Sequence, residues 1–213
     1  MSQSDAARPI TILIADDHPL MRSGIAAVLA DEPRFRIIAQ ATNGREALEM
    51  FRRFHPDVTL LDVQMPEMDG VEATAAICRE TPSARIIVFT TYRGDIQARD
   101  AMSAGAKAYL LKSAIRTELI EAIDAVWRGQ RFIPADVARE LAEHIGEENL
   151  SHREIEVLQS IAGGNSNKRV ADLLAISEET VKNHVKSILS KLGAKDRTHA
   201  VSIAYKRGIL RPK

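Results

Sequence analysis

The stretch TILIADDHPLMRSG, residues 11–24, places two adjacent aspartates, Asp16 and Asp17, directly after an apolar run. Side-by-side carboxylates repel, by about 4 kcal/mol at roughly 4 Å and an effective dielectric near 20. A third aspartate, Asp62, follows another apolar run in LLDVQMPEMDG, and Thr90 and Lys112 follow two more. Gathered in one place, three carboxylates need a cation, and oxygen-only donors select Mg2+, which keeps waters or phosphate oxygens for its remaining positions. An aspartate beside such an ion and a lysine is equipped to become an acyl phosphate. The metal and the ammonium would offset charge on the transferring phosphoryl group, and the threonine hydroxyl would bond to its oxygens.

The elements that must gather these residues are legible in the hydrophobic pattern. Strand-like runs at Ile10–Ala15, Phe35–Ala41, Val58–Leu61, Ile86–Phe89 and Ala108–Leu111 alternate with helical patterns at Leu20–Leu29, Arg45–Phe54, Val71–Glu80, Ile96–Ala104 and Thr117–Trp127. Five strand–helix units predict an α/β doubly wound, five-stranded parallel sheet. Four of the strands are near-continuous apolar runs, as burial on both faces requires. The second alternates, as an edge strand does, which fits the flavodoxin-like order 2-1-3-4-5 with its switch point between strands 1 and 3. In that order Asp16, Asp17 and Asp62 converge on one crevice. Polar strand ends and helix-capping aspartates are common singly; five such residues together at the ends of four strands are not. Cys78 and the six histidines show no metal-ligand spacing, His18 reads as a loop residue, and Tyr109 reads by default as an edge-strand aromatic.

Composition bounds the setting. A single cysteine cannot form an internal disulfide, and no run approaches the roughly 20 apolar residues of a membrane span. The leader MSQSDAARPI lacks a signal peptide's apolar core, so the expected location is cytoplasmic and no membrane partner is expected. The zero net charge conceals an asymmetry: residues 1–130 and 131–149 each carry a net −3, residues 150–213 a net +6. A basic segment of that size makes nucleic acid a candidate partner.

Strand signals stop at Gly129. PADVARELAEH suggests a helix opening with Pro134, with GEEN as a polar break after it. The last 64 residues have helical periodicity alone, beginning with a capping box formed by Ser151 and Glu154. Asn167–Leu174 and a longer helix capped by Ser177 form a helix-turn-helix pattern, and Asp196 can cap a fourth helix. On the longer helix Val181, Val185, Ile188, Leu189 and Leu192 share a stripe, which sets Lys182, Asn183 and Lys186 largely opposite, suited to a major groove and its phosphates. Thr180 in the first turn can meet a phosphate, while Lys191 and Lys195, off that face, are expected to touch phosphate if anything. Ala200, Val201 and Ala204 supply a small apolar face that either joins two copies or packs within one. The expected domains are 1–128, a linker at 129–149, and 150–213.

The quoted motifs DDHPLMRSG, LLDVQMPEMDG, Thr90-Thr91 and GAKAYLLKS resemble the receiver domain of bacterial two-component response regulators. The run from Leu150 to Leu210 is similar to the LuxR-type DNA-binding domain of NarL/FixJ response regulators. The resemblance implies that Asp62 is the phosphoacceptor, that Asp16 and Asp17 hold Mg2+ with the Gln64 backbone carbonyl, that Thr90 and Tyr109 are switch positions and that Lys112 contacts the phosphoryl group. It implies base contacts by Lys182, Asn183 and Lys186. Its partners would be a sensor histidine kinase, promoter DNA, RNA polymerase and, when phosphorylated, a second copy of the chain; the protein would not be an enzyme. Ser113, where many receivers have proline, and the pair Arg169-Val170, where the family often has an acidic-aliphatic pair, depart from the pattern. An aspartyl-phosphate phosphatase or phosphotransferase with a D-x-D pair would need an acid at position 64, which is Gln64. A degenerate receiver on a phosphorylation-independent DNA-binding protein is opposed by the intact set of five residues.

Overall fold

Continuous β-branched and leucine runs cannot leave one face in water, and the fold gives each of them cover on both sides. The computed structural model describes residues 8–91, 95–143 and 148–210; residues 1–7 of the leader, the last residue of PADVARELAEH and the first two of GEEN lie outside the described residues. Strands β1 (Ile10–Ala15), β2 (Phe35–Ala41), β3 (Val58–Asp62), β4 (Ile86–Thr90) and β5 (Ala108–Leu111) form one parallel sheet in the order 2-1-3-4-5. The crossovers are α1 (Pro19–Ala30), α2 (Gly44–Phe54), α3 (Gly70–Glu80) and α4 (Asp95–Ala104), and α5 (Ile115–Trp127) follows β5. Every residue of β3, β4 and β5 is buried. One side of the sheet packs Ile12, Ile14, Leu60, Ile87, Phe89 and Leu110 against Ile25 and Leu29 of α1 and Leu119 and Ile123 of α5.

The edge strand departs from the simple alternation of its sequence. Its pairing with β1 slips between Ile12 and Leu13, which face Ile37 and Ala39, so Ile38 has no counterpart in the ladder. Only Phe35 and Ala41 are buried along it. At the opposite edge the segment expected to begin the linker adds to the sheet: Phe132 pairs with Ala108, and its carbonyl accepts from the Tyr109 N–H at 3.1 Å. This covers part of an edge that would otherwise expose unpaired backbone groups. Tyr109 is on the edge strand as expected, and it is fully buried there. Helix α6 (Ala135–Glu143) follows Pro134, as the proline-led pattern predicts.

The main division between the two compact units of the chain falls between Ala138 and Arg139. The second is all helical: α7 (His152–Ala162), α8 (Asn167–Leu174), α9 (Glu178–Lys191) and α10 (Arg197–Lys206). Ser151 and Glu154 form the expected capping box, Ser166 caps α8, Ser177 caps α9 and Asp196 caps α10. Ala175, in the left-handed conformation at φ 53°, ends α8 and makes the tight turn into α9. The core is Val157, Leu158, Ile161, Val170, Val181 and Ile188, closed by Ala200 and Ala204. Those two alanines pack within the unit, and Val201 beside them is partly buried against the same core.

Glu154 does more than cap. It is 4% exposed, and besides the Ser151 N–H at 2.6 Å it accepts from Ser187 Oγ at 2.6 Å and pairs with Lys191 Nζ at 2.9 Å. Lys191 also donates to the Asn149 carbonyl at 3.3 Å, so it clamps α9 onto α7 and is not a free phosphate contact. Burial alone would raise the Glu154 pKa, but the Ser187, Lys191 and Ser151 donors overcome it and hold it down at about 2.

A carboxylate depressed in the folded state stabilises above its unfolded pKa of about 4.3 and loses that contribution as pH falls toward its folded value. Glu154→Gln should therefore cost the helical unit about 2–3 kcal/mol at pH 7. The difference from wild type should shrink steadily between pH 4 and pH 2, measured by denaturant unfolding of the full chain. A pH-independent difference would show that Glu154 contributes by packing and not by charge.

Candidate functional site

Parallel strands end together at one edge of the sheet, and that edge assembles the acidic residues. Asp16 follows the last residue of β1 and Asp62 is the last residue of β3. The two strands are hydrogen-bonded neighbours, with Ala15 opposite Leu61. Two strands across, Lys112 leaves β5 at the start of a 3-10 turn, Lys112–Ala114. Its Nζ lies 2.8 Å from Asp16 Oδ2 and 2.8 Å from Asp62 Oδ2, and it sits 5.5 Å from the centre of the Phe89 ring. All three side chains are withdrawn from water: 8% exposed for Lys112, 0% for Asp16 and 2% for Asp62.

Burial pushes the Asp62 carboxyl up to about 6; Asp16 adds to the rise, while Lys112 and the Gln64 backbone N–H oppose it. For Lys112 burial acts downward, but its bonds to Asp16 and Asp62 prevail and the ammonium pKa is raised. Asp17 is half-buried at the mouth, with its Oδ1 2.6 Å from His18 Nδ1. Asp16, Asp17, His18 and Asp62 each offer a ligand atom within 4.8 Å of the others. Three carboxylates facing one ammonium leave the pocket negative. That residual charge and the oxygen donors fit a hard divalent cation.

Two neighbours have roles beside Asp16 that residue type alone does not assign. His18 is a loop residue, as expected, and its backbone N–H donates to Asp16 Oδ1 at 2.7 Å. Arg22, one turn into α1, donates from Nη1 to the Asp16 carbonyl at 2.6 Å. The Asp-Asp-His-Pro spacing with an arginine six residues after the first aspartate carried that signal. Gly70 has a similar role below the site: a Cβ there would stand 2.0 Å from the Asp62 carbonyl oxygen, so only glycine lets α3 begin so close to β3.

Thr90 ends β4 and is fully buried. The β4–β5 register sets it beside Leu111 and sets Tyr109 beside Val88, so Tyr109 lies two residues short of the strand end and outside the acidic cluster. The peptide bonds of the described residues are all trans, including Lys112–Ser113.

In the helical unit Lys182, Asn183 and Lys186 are exposed along α9 while Val181 and Ile188 are buried. Thr180 is half-buried, and its Oγ1 lies 2.8 Å from the capping Ser177 Oγ. Lys182 is paired with Glu179 at 3.3 Å. None of the described helices is long and apolar enough to cross a membrane.

A parallel sheet with this acidic edge, joined to a four-helix unit containing a helix-turn-helix, defines a class: two-component response regulators that bind DNA. Residues 12–124 match the response regulator receiver domain, and residues 148–204 match the bacterial regulatory proteins of the luxR family. The chain belongs to the LuxR-type response regulators, a family of transcriptional regulators. It is 38% identical over 209 residues to the transcriptional regulatory protein LiaR of Bacillus subtilis, covering 94% of this chain and 99% of the relative. It is 34% identical to DegU of Brevibacillus brevis, covering 98% of each. Among solved structures it is similar to RcsB from Salmonella enterica serovar Typhimurium bound to promoter P1flhDC in the presence of the phosphomimetic BeF3−. The TM-score is 0.71 at 26% identity, covering 93% of this chain and 99% of that one.

Removing the ammonium tests what it holds apart. Lys112→Met should cost the receiver unit about 3–5 kcal/mol at neutral pH, the usual loss when a buried charge is left unpaired. Added Mg2+ should recover more stability in this variant than it adds to wild type, read by urea unfolding with and without the ion. An equal response in both proteins would mean that Lys112 does not neutralise the carboxylates.

Proposed function

We propose that the receiver unit is switched by phosphorylation of Asp62 from a sensor histidine kinase, and that the switch controls dimerisation and binding of the helical unit to promoter DNA. The observation that supports this most is the Lys112 ammonium held 2.8 Å from Asp62 at the convergent strand ends. Asp62 Oδ is the nucleophile: it attacks phosphorus while the donor nitrogen leaves. Lys112, already against the same carboxylate, neutralises charge on the incoming phosphoryl oxygens without having to move. Thr90, at the next strand end, supplies the hydroxyl that follows those oxygens, and Tyr109 behind it is the second switch position.

Asp16, Asp17, Asp62 and the Gln64 carbonyl would hold Mg2+, which when bound offsets phosphoryl charge. Arg22 holds the Asp16 backbone through its carbonyl, and the His18 backbone N–H holds its side chain at Oδ1. A soluble, cytoplasmic setting suits both partners. The domain reading remains 1–128, 129–149 and 150–213, with Phe132 and α6 giving the linker more structure than a flexible tether. On the DNA side Lys182, Asn183 and Lys186 face base edges and Thr180 lies near phosphate, with two copies on half-sites about 10 base pairs apart, one duplex turn. RNA polymerase is a further partner of the bound dimer. The chemistry is self-modification, not turnover of a substrate, so the protein is a regulator and not an enzyme.

Asp62→Asn should abolish Mg2+-dependent labelling by radioactive acetyl phosphate while leaving the fold intact, because an amide is a far weaker nucleophile than a carboxylate. Undiminished labelling would place the acceptor elsewhere. On the DNA side, Lys186→Ala should relax sequence preference as well as weaken binding, each good base contact being worth roughly 1–3 kcal/mol. Selection from random DNA decides it: an unchanged preferred motif would show that Lys186 does not read bases.

A further inference from the structure

The outer stripe of α9 is not uniformly basic. At about 100° per residue, Glu179 lies within about 20° of Lys186 around the helix, between Lys182 and Asn183 in angle. Its side chain is 73% exposed, and its Oε2 is 3.3 Å from Lys182 Nζ. A carboxylate in the middle of a surface that meets a polyanion opposes binding unless it faces something other than phosphate. Its position at the helix N-terminus is favourable for the dipole, but Glu178 in the same turn already serves that end. Glu178 lies off the stripe, about 100° from Glu179 around the helix and within about 20° of Val185 and Leu189.

The centre of the stripe is the part that enters a groove deepest, farthest from the phosphates, and the first turn of a recognition helix is the part that reaches base edges. In the major groove the groups that welcome a carboxylate are exocyclic amines, and cytosine N4 is the usual partner of Glu. Guanine O6, hydrogen-bonded to that same N4 across the base pair, is a usual partner of Lys. The Glu179–Lys182 pair therefore offers an acceptor and a donor side by side, matching the donor and acceptor edges of one G·C pair.

We infer that Glu179 is a specificity-determining residue: together with Lys182 it reads a single G·C base pair, with its carboxylate accepting from cytosine N4. The inference rests on the reading of α9 as the helix that enters the major groove. Glu179 contributes discrimination at the expense of general affinity, since the same charge repels the backbone at every other sequence. Neither the helix fold nor the acidic pocket of the receiver depends on it.

The test is selection from random double-stranded DNA by the full-length protein, with and without acetyl phosphate and Mg2+, comparing wild type, Glu179→Ala and Glu179→Gln. Wild type should select a motif with a required cytosine at one position of each half-site. Glu179→Ala should lose that preference by about tenfold or more while the other positions keep theirs, and it should bind non-specific DNA more tightly. Glu179→Gln, close in size and equally suited to the helix, should move the preference at that position toward adenine, whose N6 and N7 match an amide. Circular dichroism and melting of each variant establish that the helix is intact. An unchanged motif with uniformly tighter binding in both variants would overturn the inference and leave Glu179 as a purely electrostatic brake. A wild-type protein that selects no motif under either condition would overturn the groove-reading role of α9 itself.

Discussion

The receiver unit depends on one ammonium placed between two buried carboxylates. Asp16 and Asp62 are withdrawn from water at the ends of adjacent strands, where their repulsion would be severe without a counter-charge. Lys112 arrives from β5 and meets each at 2.8 Å. Desolvation of three ions is costly, and the arrangement persists because the sheet, the Phe89 ring beneath the ammonium and the following 3-10 turn leave the lysine no better partner. A phosphoryl group on Asp62 would bring its oxygens to the same ammonium, changing what Lys112 faces. The charge balance that holds the pocket is thus the one that phosphorylation would disturb.

The helical unit uses the same chemistry for an opposite end. Glu154 is a buried carboxylate that accepts from one backbone N–H, one hydroxyl and a lysine, and it fixes α9 against α7. The contact has no evident switching role. It consumes Lys191 on the inner side of α9, leaving Lys182, Asn183 and Lys186 outward on a helix whose position is set from behind. A helix fixed from behind would need little further ordering to present that outer stripe, on which Lys182 is already paired with Glu179.

Much of this was legible in the chain itself. Continuous apolar runs separated the buried strands from the alternating edge strand, and the capping residues Ser151, Ser177 and Asp196 marked helix starts correctly because each acts on backbone groups two or three residues away. The five strand-end residues were recognisable because parallel topology sends all such ends to one edge. The family resemblance, carried by nearly the whole chain, agreed with that derivation.

Other features were decided only by the fold. The bulge at Ile38, the pairing of Phe132 with β5, the burial of Tyr109 and the use of Lys191 as a clamp all depend on which distant segment lies alongside, and local periodicity contains no such term. Ala200 and Ala204 had two equally good uses until α10 was seen closing the helical core. In the sequence Asp16, Asp62 and Lys112 are a set of charges separated by 46 and 50 residues. Their residue types determined that the site would be acidic and cation-seeking, because carboxylates and ammoniums keep their chemistry anywhere. That Lys112 bridges the other two, and that Asp62 is held near pKa 6, was decided by tertiary structure, since distance and desolvation exist only once the strands lie side by side.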